Sequence, residues 1–467
     1  MGTCVFCSWP VPKNLCPATA DLRDTSKATT IVGTGTAASC NQAALSAALA
    51  RGGIIKFNCS TTGQSVTITL TESLEISRTN DTIIDGEGRI TFDGQKKVRI
   101  LNFDRADFPQ LTPILTVQRL RFINGFCQDD HGGCAILQKK GGTTIVNGCT
   151  FENNVGPTVG QDTAGGAIWT IGGGTTTVNG CVFRSNKCSN GGAIGILGSG
   201  LAISNSHFEA NEATGNGGNP GNGGNGGAIS FDGRGRNNTI CGTRFSKNQG
   251  NKFGGAFFRV SYAGTEQNIF DNVLADSNLI QKSGNGLAGA FYIQGGTVTV
   301  RSSTVFNNSA GGAGGFFLSN DKFVTFTNVN LLSNVAYTGL GAAMFCSNPV
   351  SGTFTGLTVA NNYAGAFGAA FASCGTELSI SNSIIANNTV GNPWPANACT
   401  SMMKAGVDVI QSPVNKQGPA TGPDAACADG QITRTNNITV VLDLGTWKIK
   451  MQGAQPKHFG PNVIPGL

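Results

Sequence analysis

The run 128–131 reads Gln-Asp-Asp-His, and Lys139 follows it a few residues later. Side chains of these types act as general acids and bases. Glycosidases use two carboxyl groups about 5–9.5 Å apart, and Asp129 or Asp130 together with Asp162 is the nearest such combination in this chain. Turn residues without a catalytic role are the competing interpretation of this cluster.

A second polar cluster surrounds Asp232, which precedes Arg259 by one unit of an internal repeat. Lyases and epimerases that act on uronates need a positive group beside the substrate carboxylate, together with a base and an acid. Arg259 and Tyr292 have suitable chemistry, and stacking of the repeats is expected to bring them to one face with Asp232. The candidate catalytic residues are Asp129, Asp130, Lys139, Asp232 and Arg259.

The repeat has two recurring elements. The first is Gly-Gly-Ala or a close variant, followed by an apolar residue, and it occurs nine times. Its apolar residues are Ile136, Ile168, Ile194, Ile229, Phe257, Phe291, Phe317, Met344 and Phe371. The second element is Phe-x-x-Asn or a variant such as Val273-x-x-Asp276. The shortest distance between successive final Asn residues, from Asn186 to Asn211, gives a unit of about 25 residues, which is typical of solenoids.

Short segments rich in Val, Ile, Thr and Phe, separated by Gly, Asn and Ser, predict strands and turns. One unit cannot bury its apolar face alone, so the units are expected to stack with parallel strand pairing. The apolar residues of the first element then form one inward ladder, and Phe151, Phe183, Phe208 and Phe245 form another. The sequence therefore predicts an all-β, right-handed parallel β-helix, with a helix at 41–50 that caps its N-terminal end.

Strand alternation points the residue after each inward apolar residue away from the core. Four of these outward positions are aromatic: Trp169, Phe258, Tyr292 and Phe345. Aromatic rings contribute both apolar burial and stacking, so this row is a candidate ligand-binding surface for a sugar chain. The alternative is that loops cover the row and that the rings pack beneath them.

The repeated Gly-Gly-Ala-Ile with a later Phe-x-x-Asn resembles the passenger repeats of chlamydial-type polymorphic outer-membrane proteins. It is also similar to the broad group of pectate-lyase-like β-helix proteins. The likeness covers roughly residues 31–400 and implies a parallel β-helix and, for the outer-membrane passengers, an adhesin function. No aspartate cluster of the calcium-binding pectate-lyase type is evident, and no histidine spacing suggests a metal site. We therefore expect no metal and no cofactor.

Fifteen cysteines are many for a reducing compartment. Neighbours in sequence such as Cys181 and Cys188 predict disulfides, and the odd total leaves at least one thiol without a partner in the chain. A zinc site at Cys4, Cys7 and Cys16 is a weaker alternative, because no second pair stands at finger spacing. The cysteine content predicts a secreted or cell-surface protein.

Charge and hydropathy restrict the classes of partner that the sequence predicts. The chain has 32 basic and 26 acidic residues, a net charge of +6, and no Lys/Arg run of the kind that binds nucleic acid. No run of 18 apolar residues predicts a membrane span. We expect three regions: a Cys-rich N-terminal segment at 1–30, the β-helix at 31–400 and a C-terminal cap or tail at 401–467.

The leading functional interpretation is an extracellular β-helix that binds a polysaccharide or cell-surface glycan along its face. A polysaccharide lyase, epimerase or glycoside hydrolase is the first alternative, and a structural, self-assembling surface protein is the second. A deep cleft with converging Asp, Arg, Lys or Tyr side chains would favour the enzyme, whereas a flat face would favour binding.

The inward ladder generates a test of the fold. Ile194→Asp or Phe291→Asp places an unpaired charge in a stacked apolar core, and we expect either change to prevent folding. Circular dichroism would show loss of the cooperative melt. A native-like melt for either variant would contradict the inward assignment.

Overall fold

The structure is a computed structural model that describes residues 15–104, 110–218, 221–234, 236–281, 285–348, 350–394, 397–430, 432–443 and 448–453. It is nearly all β, with 48% strand and 3% helix, and forms a parallel β-solenoid of about 13 turns. The predicted all-β parallel solenoid is thereby confirmed. Cys4 and Cys7 lie outside the described residues.

Each full coil contains strands of three series, joined by corners. The first series follows the Gly-Gly-Ala corners and comprises Leu74–Glu75, Leu101–Asp104, Ile136–Lys139, Ile168–Ile171, Ile194–Leu197, Ile229–Asp232, Phe257–Val260, Met344–Ser347 and Phe371–Ala372. The second comprises Thr30–Val32, Gly53–Phe57, Thr143–Asn147, Thr176–Asn179, Leu201–Ser204, Asn238–Cys241, Gln267–Asp271, Gly352–Thr355, Leu378–Ser381 and Lys404–Ala405. The third comprises Val66–Thr69, Thr150–Glu152, Val182–Arg184, His207–Glu209, Arg244–Ser246, Leu274–Asp276, Thr358–Ala360, Ser383–Ala386, Val409–Ser412 and Ile432–Arg434.

Four long strands bend across corners and belong to more than one series. Thr82–Asp93 and Ile114–Ile123 span the second and third series, and Phe291–Phe306 and Phe316–Leu332 span all three. A separate short-strand series forms its own parallel sheet: Lys187–Cys188, Glu212–Ala213, Gln249–Gly250, Leu279–Ile280, Ser309–Ala310, Val335–Ala336, Tyr363–Ala364 and Thr389–Val390.

A short 3-10 helix, Ala37–Ser39, and an α-helix, Gln42–Arg51, lie near the N-terminal end. The Asn41 side chain accepts a hydrogen bond from the Ala44 backbone N–H, which caps the α-helix at its start. Leu45 and Leu49 are fully buried and belong to the solenoid core. Among the described residues, no helix is long and apolar enough to cross a membrane.

The inward ladders follow the predicted pattern with one shift of register. Ile168, Ile194 and Ile229 pair in parallel register and are fully buried. Phe291 pairs with Phe316, whereas Phe317 faces outward, so the expected inward position of Phe317 is wrong by one residue. The reason is that Gly315 occupies the place of the motif alanine, as the hydrogen bond from the Phe291 N–H to its carbonyl shows.

The motif begins with a residue in the left-handed backbone region. Gly165, Gly191 and Gly226 have φ values of +71°, +49° and +66° at this corner. A Cβ on Gly165 would also collide with the Ile168 carbonyl. Glycine adopts this conformation without strain and allows the close approach of neighbouring coils, although Ala288 and Ala313 occupy the same position with φ +68° and +53°.

Nine buried asparagines form a continuous ladder along the solenoid. They are Asn154, Asn186, Asn211, Asn248, Asn278, Asn308, Asn334, Asn362 and Asn388. The Nδ2 of each of the first eight donates to the Oδ1 of the next at 2.8 to 3.1 Å, and that of Asn388 donates to the Val359 carbonyl. The same Oδ1 also accepts the backbone N–H of the asparagine before it, as from Asn154 to Asn186. Every amide is thereby satisfied without water.

The fifth member of this ladder is Asn278, and the sequence assignment of Asp276 to it is wrong. Asp276 faces outward and binds Arg244 at 2.8 Å, while Ala275 occupies the position of Phe245. The residue before each ladder asparagine has positive φ, as at Asn307.

The outward side chains of the third series change from charged to apolar along the solenoid. Arg184 lies between Glu152 and Glu209, at 3.2 and 3.0 Å. Further along, outward positions such as Leu332 and Ile384 are apolar. A C-terminal antiparallel hairpin, Thr439–Asp443 with Lys448–Gln452, covers them with Ile438, Val440 and Ile449. The apolar stretch is therefore the docking surface of the chain's own hairpin.

The described residues include five disulfides: Cys16–Cys241, Cys40–Cys59, Cys127–Cys134, Cys346–Cys374 and Cys399–Cys427. The first ties the N-terminal segment at Cys16 to a coil 225 residues away in sequence. Because Cys16 is in a disulfide, it is not a thiolate ligand, so the three-cysteine zinc set is wrong.

Three described cysteines are free thiols, Cys149, Cys181 and Cys188, so the expected Cys181–Cys188 disulfide is wrong. The Cys181 Sγ accepts the Cys149 N–H and donates to the Asn179 carbonyl at a corner. Cys188 lies on the next strand, where burial raises its pKa to about 12. These thiols are core groups rather than disulfide partners.

The asparagine ladder predicts a large local effect. Asn308→Ala removes the acceptor of the Asn278 backbone and side-chain N–H groups and the donor to the Ala275 carbonyl. We expect a loss of about 2–4 kcal/mol of unfolding free energy, since each unmet buried group costs roughly 1–3 kcal/mol. Denaturant titration measures it.

The adjacent Asn307→Gly is the control for that titration. Asn307 is exposed and has φ +54°, which glycine accepts, so we expect little change. Equal losses for the two variants would contradict the importance of the ladder.

The cysteine arrangement predicts a thiol count. The thiols of Cys149, Cys181 and Cys188 should resist modification in the native protein at pH 8, because they are buried. All three should react after denaturation without reductant, and reduction should lower the melting temperature. Most of the fifteen thiols being free in the denatured, unreduced protein would contradict the disulfide set.

Candidate functional site

The first polar cluster lies in a loop closed by the Cys127–Cys134 disulfide. Arg99 Nη2 contacts both carboxylate oxygens of Asp129 at 2.7 Å. Burial acts to raise the pKa of Asp129, but the hydrogen bonds from Arg99 outweigh it and hold the pKa below its ordinary value. The Asp130 carbonyl accepts a bond from Thr163. Asp129 and Asp130 thus make hydrogen bonds that hold the loop in place. Their catalytic role stays an untested prediction.

Lys139 and Asp232 lie on one outward row of the first series, but not beside each other. The row runs from Lys139 through Ile171 and Leu197 to Asp232, so three coil spacings separate the two residues. At about 4.8 Å per spacing, this is about 14 Å along the solenoid. Lys139 Nζ instead lies 4.0 Å from an Asp104 oxygen.

Arg259 faces into the solenoid, so the expected shared face with Asp232 and Tyr292 is wrong. It pairs in register with the inward Phe231, and its guanidinium carbon lies 3.7 Å from the Phe231 ring centroid. The guanidinium donates to the Ser261 hydroxyl and the Arg236 carbonyl. Burial lowers the pKa of Arg259 to about 10. Regular strand alternation places Arg259 inward, because it follows the outward Phe258, which pairs with Tyr292.

The aromatic row is outward but covered. Tyr292 stacks on Phe317 and Phe253 with ring centroids 4.8 Å apart in both cases. Phe258 joins the same stack, and Phe345 contacts Phe317 edge-on. Burial raises the pKa of Tyr292 to about 12.

Trp169 forms a smaller cluster of the same kind. It packs with Leu137 and Ala164 and is 2% exposed. Neighbouring side chains thus bury Trp169, Phe258 and Tyr292, as the alternative from the sequence proposed, whereas Phe345 is half-buried. Ligand binding by this row stays an untested prediction. The faces of the Phe258 and Tyr292 rings stack on neighbouring rings of the same cluster.

Two surface depressions lie near the N-terminal end of the solenoid. One is lined by residues between Phe57 and Ile90, and the other by residues between Gly35 and Val66. Neither is lined by any of the nine residues that the sequence nominated. These two depressions therefore give no support to a catalytic cluster of those residues.

The short-strand series presents a continuous open face. One side chain of each strand points outward, immediately after a ladder asparagine. The series is Lys187, Glu212, Gln249, Leu279, Ser309, Val335, Tyr363 and Thr389, paired in parallel register throughout. All eight are half-buried or exposed, and we call this row the short-strand face.

Tyr363 is the aromatic residue of this face and is 41% exposed. Its hydroxyl lies against Gly391 of the next coil, where a Cβ would stand only 2.7 Å away. Trp394 follows Gly391 by three residues and is 78% exposed. Gly365, beside Tyr363 in sequence, has no room for a Cβ because of the Tyr337 carbonyl. Tyr363 and Trp394 are thus two exposed aromatic side chains, and Gly365 and Gly391 pack closely against the Tyr337 carbonyl and the Tyr363 hydroxyl.

Sequence reasoning did not single out Tyr363 or Trp394. The signal was present for Tyr363, because it follows the ladder residue Asn362 and must face outward by strand alternation. No comparable signal existed for Trp394, which lies in a corner of irregular backbone.

No family model matches the chain, and no curated protein matches it. Among solved structures, the fold is similar to the crystal structure of PfbA, a surface adhesin of Streptococcus pneumoniae. The TM-score is 0.28 at 11% sequence identity, over 92% of this chain and 97% of that chain. A likeness at this level carries no argument about function. The protein is thus defined as a disulfide-bonded parallel β-solenoid.

Proposed function

We propose that this protein is an extracellular binding protein that holds a polysaccharide on the short-strand face. The observation that carries the proposal is the exposure of two large aromatic side chains, Tyr363 on this face and Trp394 three residues after Gly391. Large exposed aromatic side chains usually mark an interaction site, and their faces suit the apolar side of a sugar ring.

The location follows from the cysteines. Five disulfides in one chain are typical of an oxidising, extracellular environment. The likeness of the repeats to adhesin passengers supports a binding role at a cell surface. We propose no enzymatic function, because Asp129, Lys139 and Arg259 lie in separate surroundings, and Arg259 is fully buried.

The proposal is tested by removing each open ring. Trp394→Ala and Tyr363→Ala should each weaken polysaccharide binding about fivefold, since the burial and stacking of one ring contribute on the order of 1 kcal/mol. Calorimetric titration against a panel of neutral and acidic polysaccharides measures the affinity. Melting curves of both variants should match the unmodified protein, because the rings are exposed.

Phe323→Ala is the matched control, since Phe323 is 46% exposed and lies on the long strand Phe316–Leu332, away from this face. It should leave the affinity unchanged. The proposal is overturned if no polysaccharide binds, or if one binds and neither Trp394→Ala nor Tyr363→Ala alters its affinity.

A further inference from the structure

The charges of the short-strand face are confined to one end. Lys187 and Glu212 form an ion pair at 2.6 Å on the first two strands. Lys247 and Lys252 flank the third strand, at Gln249. Lys187 and Glu212 neutralise each other in this ion pair, and the charged side chains of the face lie on or beside its first three strands.

The last four strands of the face present no charged side chain. Their outward residues are Ser309, Val335, Tyr363 and Thr389. In these four coils, the residue just before the ladder asparagine is Asn or Ser. The residue two positions after the outward one is Gly or Tyr. This stretch covers three coil spacings, about 14 Å. Both open rings lie at this end of the face.

We infer that the ligand is an uncharged, hydroxyl-rich polysaccharide that lies along the solenoid axis over these four strands. This inference rests on the proposed function and adds the class of ligand. Placing the carboxylates of an acidic chain against this stretch removes their water without supplying a cation, which is unfavourable. Hydroxyl groups are satisfied by the Ser309, Asn307 and Thr389 side chains, and ring faces by Tyr363 and Trp394.

A charge-reversal pair tests the inference. Val335 is half-buried and lies between Ser309 and Tyr363, so Val335→Lys and Val335→Glu place opposite charges at one point of the face. For a neutral ligand, the two variants should change affinity by the same factor, within about twofold. For an acidic ligand, lysine should tighten and glutamate weaken binding, each on the order of fivefold.

The salt dependence of the unmodified protein gives an independent readout. Affinity for the neutral ligand should be constant between about 50 and 500 mM NaCl, whereas binding of an acidic chain should weaken as salt screens the charges. Opposite shifts for the Val335 pair, or strong salt dependence, would overturn the neutral-ligand inference. If Trp394→Ala still weakens binding in that case, the proposed function stands. If no polysaccharide binds, both fail.

Discussion

The buried asparagine ladder is the constraint on which the rest of the structure depends. Because each Nδ2 must reach the Oδ1 of the next asparagine at about 2.9 Å, the same corner recurs in every coil. Chain length can vary only elsewhere. The separations along the ladder range from 25 residues, at Asn186 to Asn211, to 37, at Asn211 to Asn248. The extra residues leave the core as loops.

A second set of repeated hydrogen bonds, made by serine hydroxyls, fixes the other end of the third-series strands. The Ser206 hydroxyl accepts the Cys181 N–H and donates to the Ser204 carbonyl, and Ser303 and Ser383 repeat this arrangement. Cys181 takes the same place with a thiol. Strands held at both ends keep their register, which explains why Phe183 and Phe208 stack at 4.6 Å with nearly parallel rings.

With both corners held in place, the outward positions are free to differ along the solenoid. They are charged at Arg184 and apolar at Ile384 beneath the C-terminal hairpin. On the short-strand face they include the exposed Tyr363. Surface chemistry therefore changes coil by coil over an unchanged interior, which allows one face to carry both a charged end and a neutral end.

The sequence by itself determined the parallel solenoid, the stacked Phe183 and Phe208 row and the inward Ile194 row, because these follow from local periodicity. It could not determine register where a motif varies, so Phe317 and Asp276 were placed wrongly. It also could not show that neighbouring segments cover Tyr292, whereas alternation from the outward Phe258 did imply the inward direction of Arg259, which the assignment of a shared face overlooked. The register and the cover of Tyr292 depend on which segments pack across neighbouring coils, and only the tertiary structure decides that.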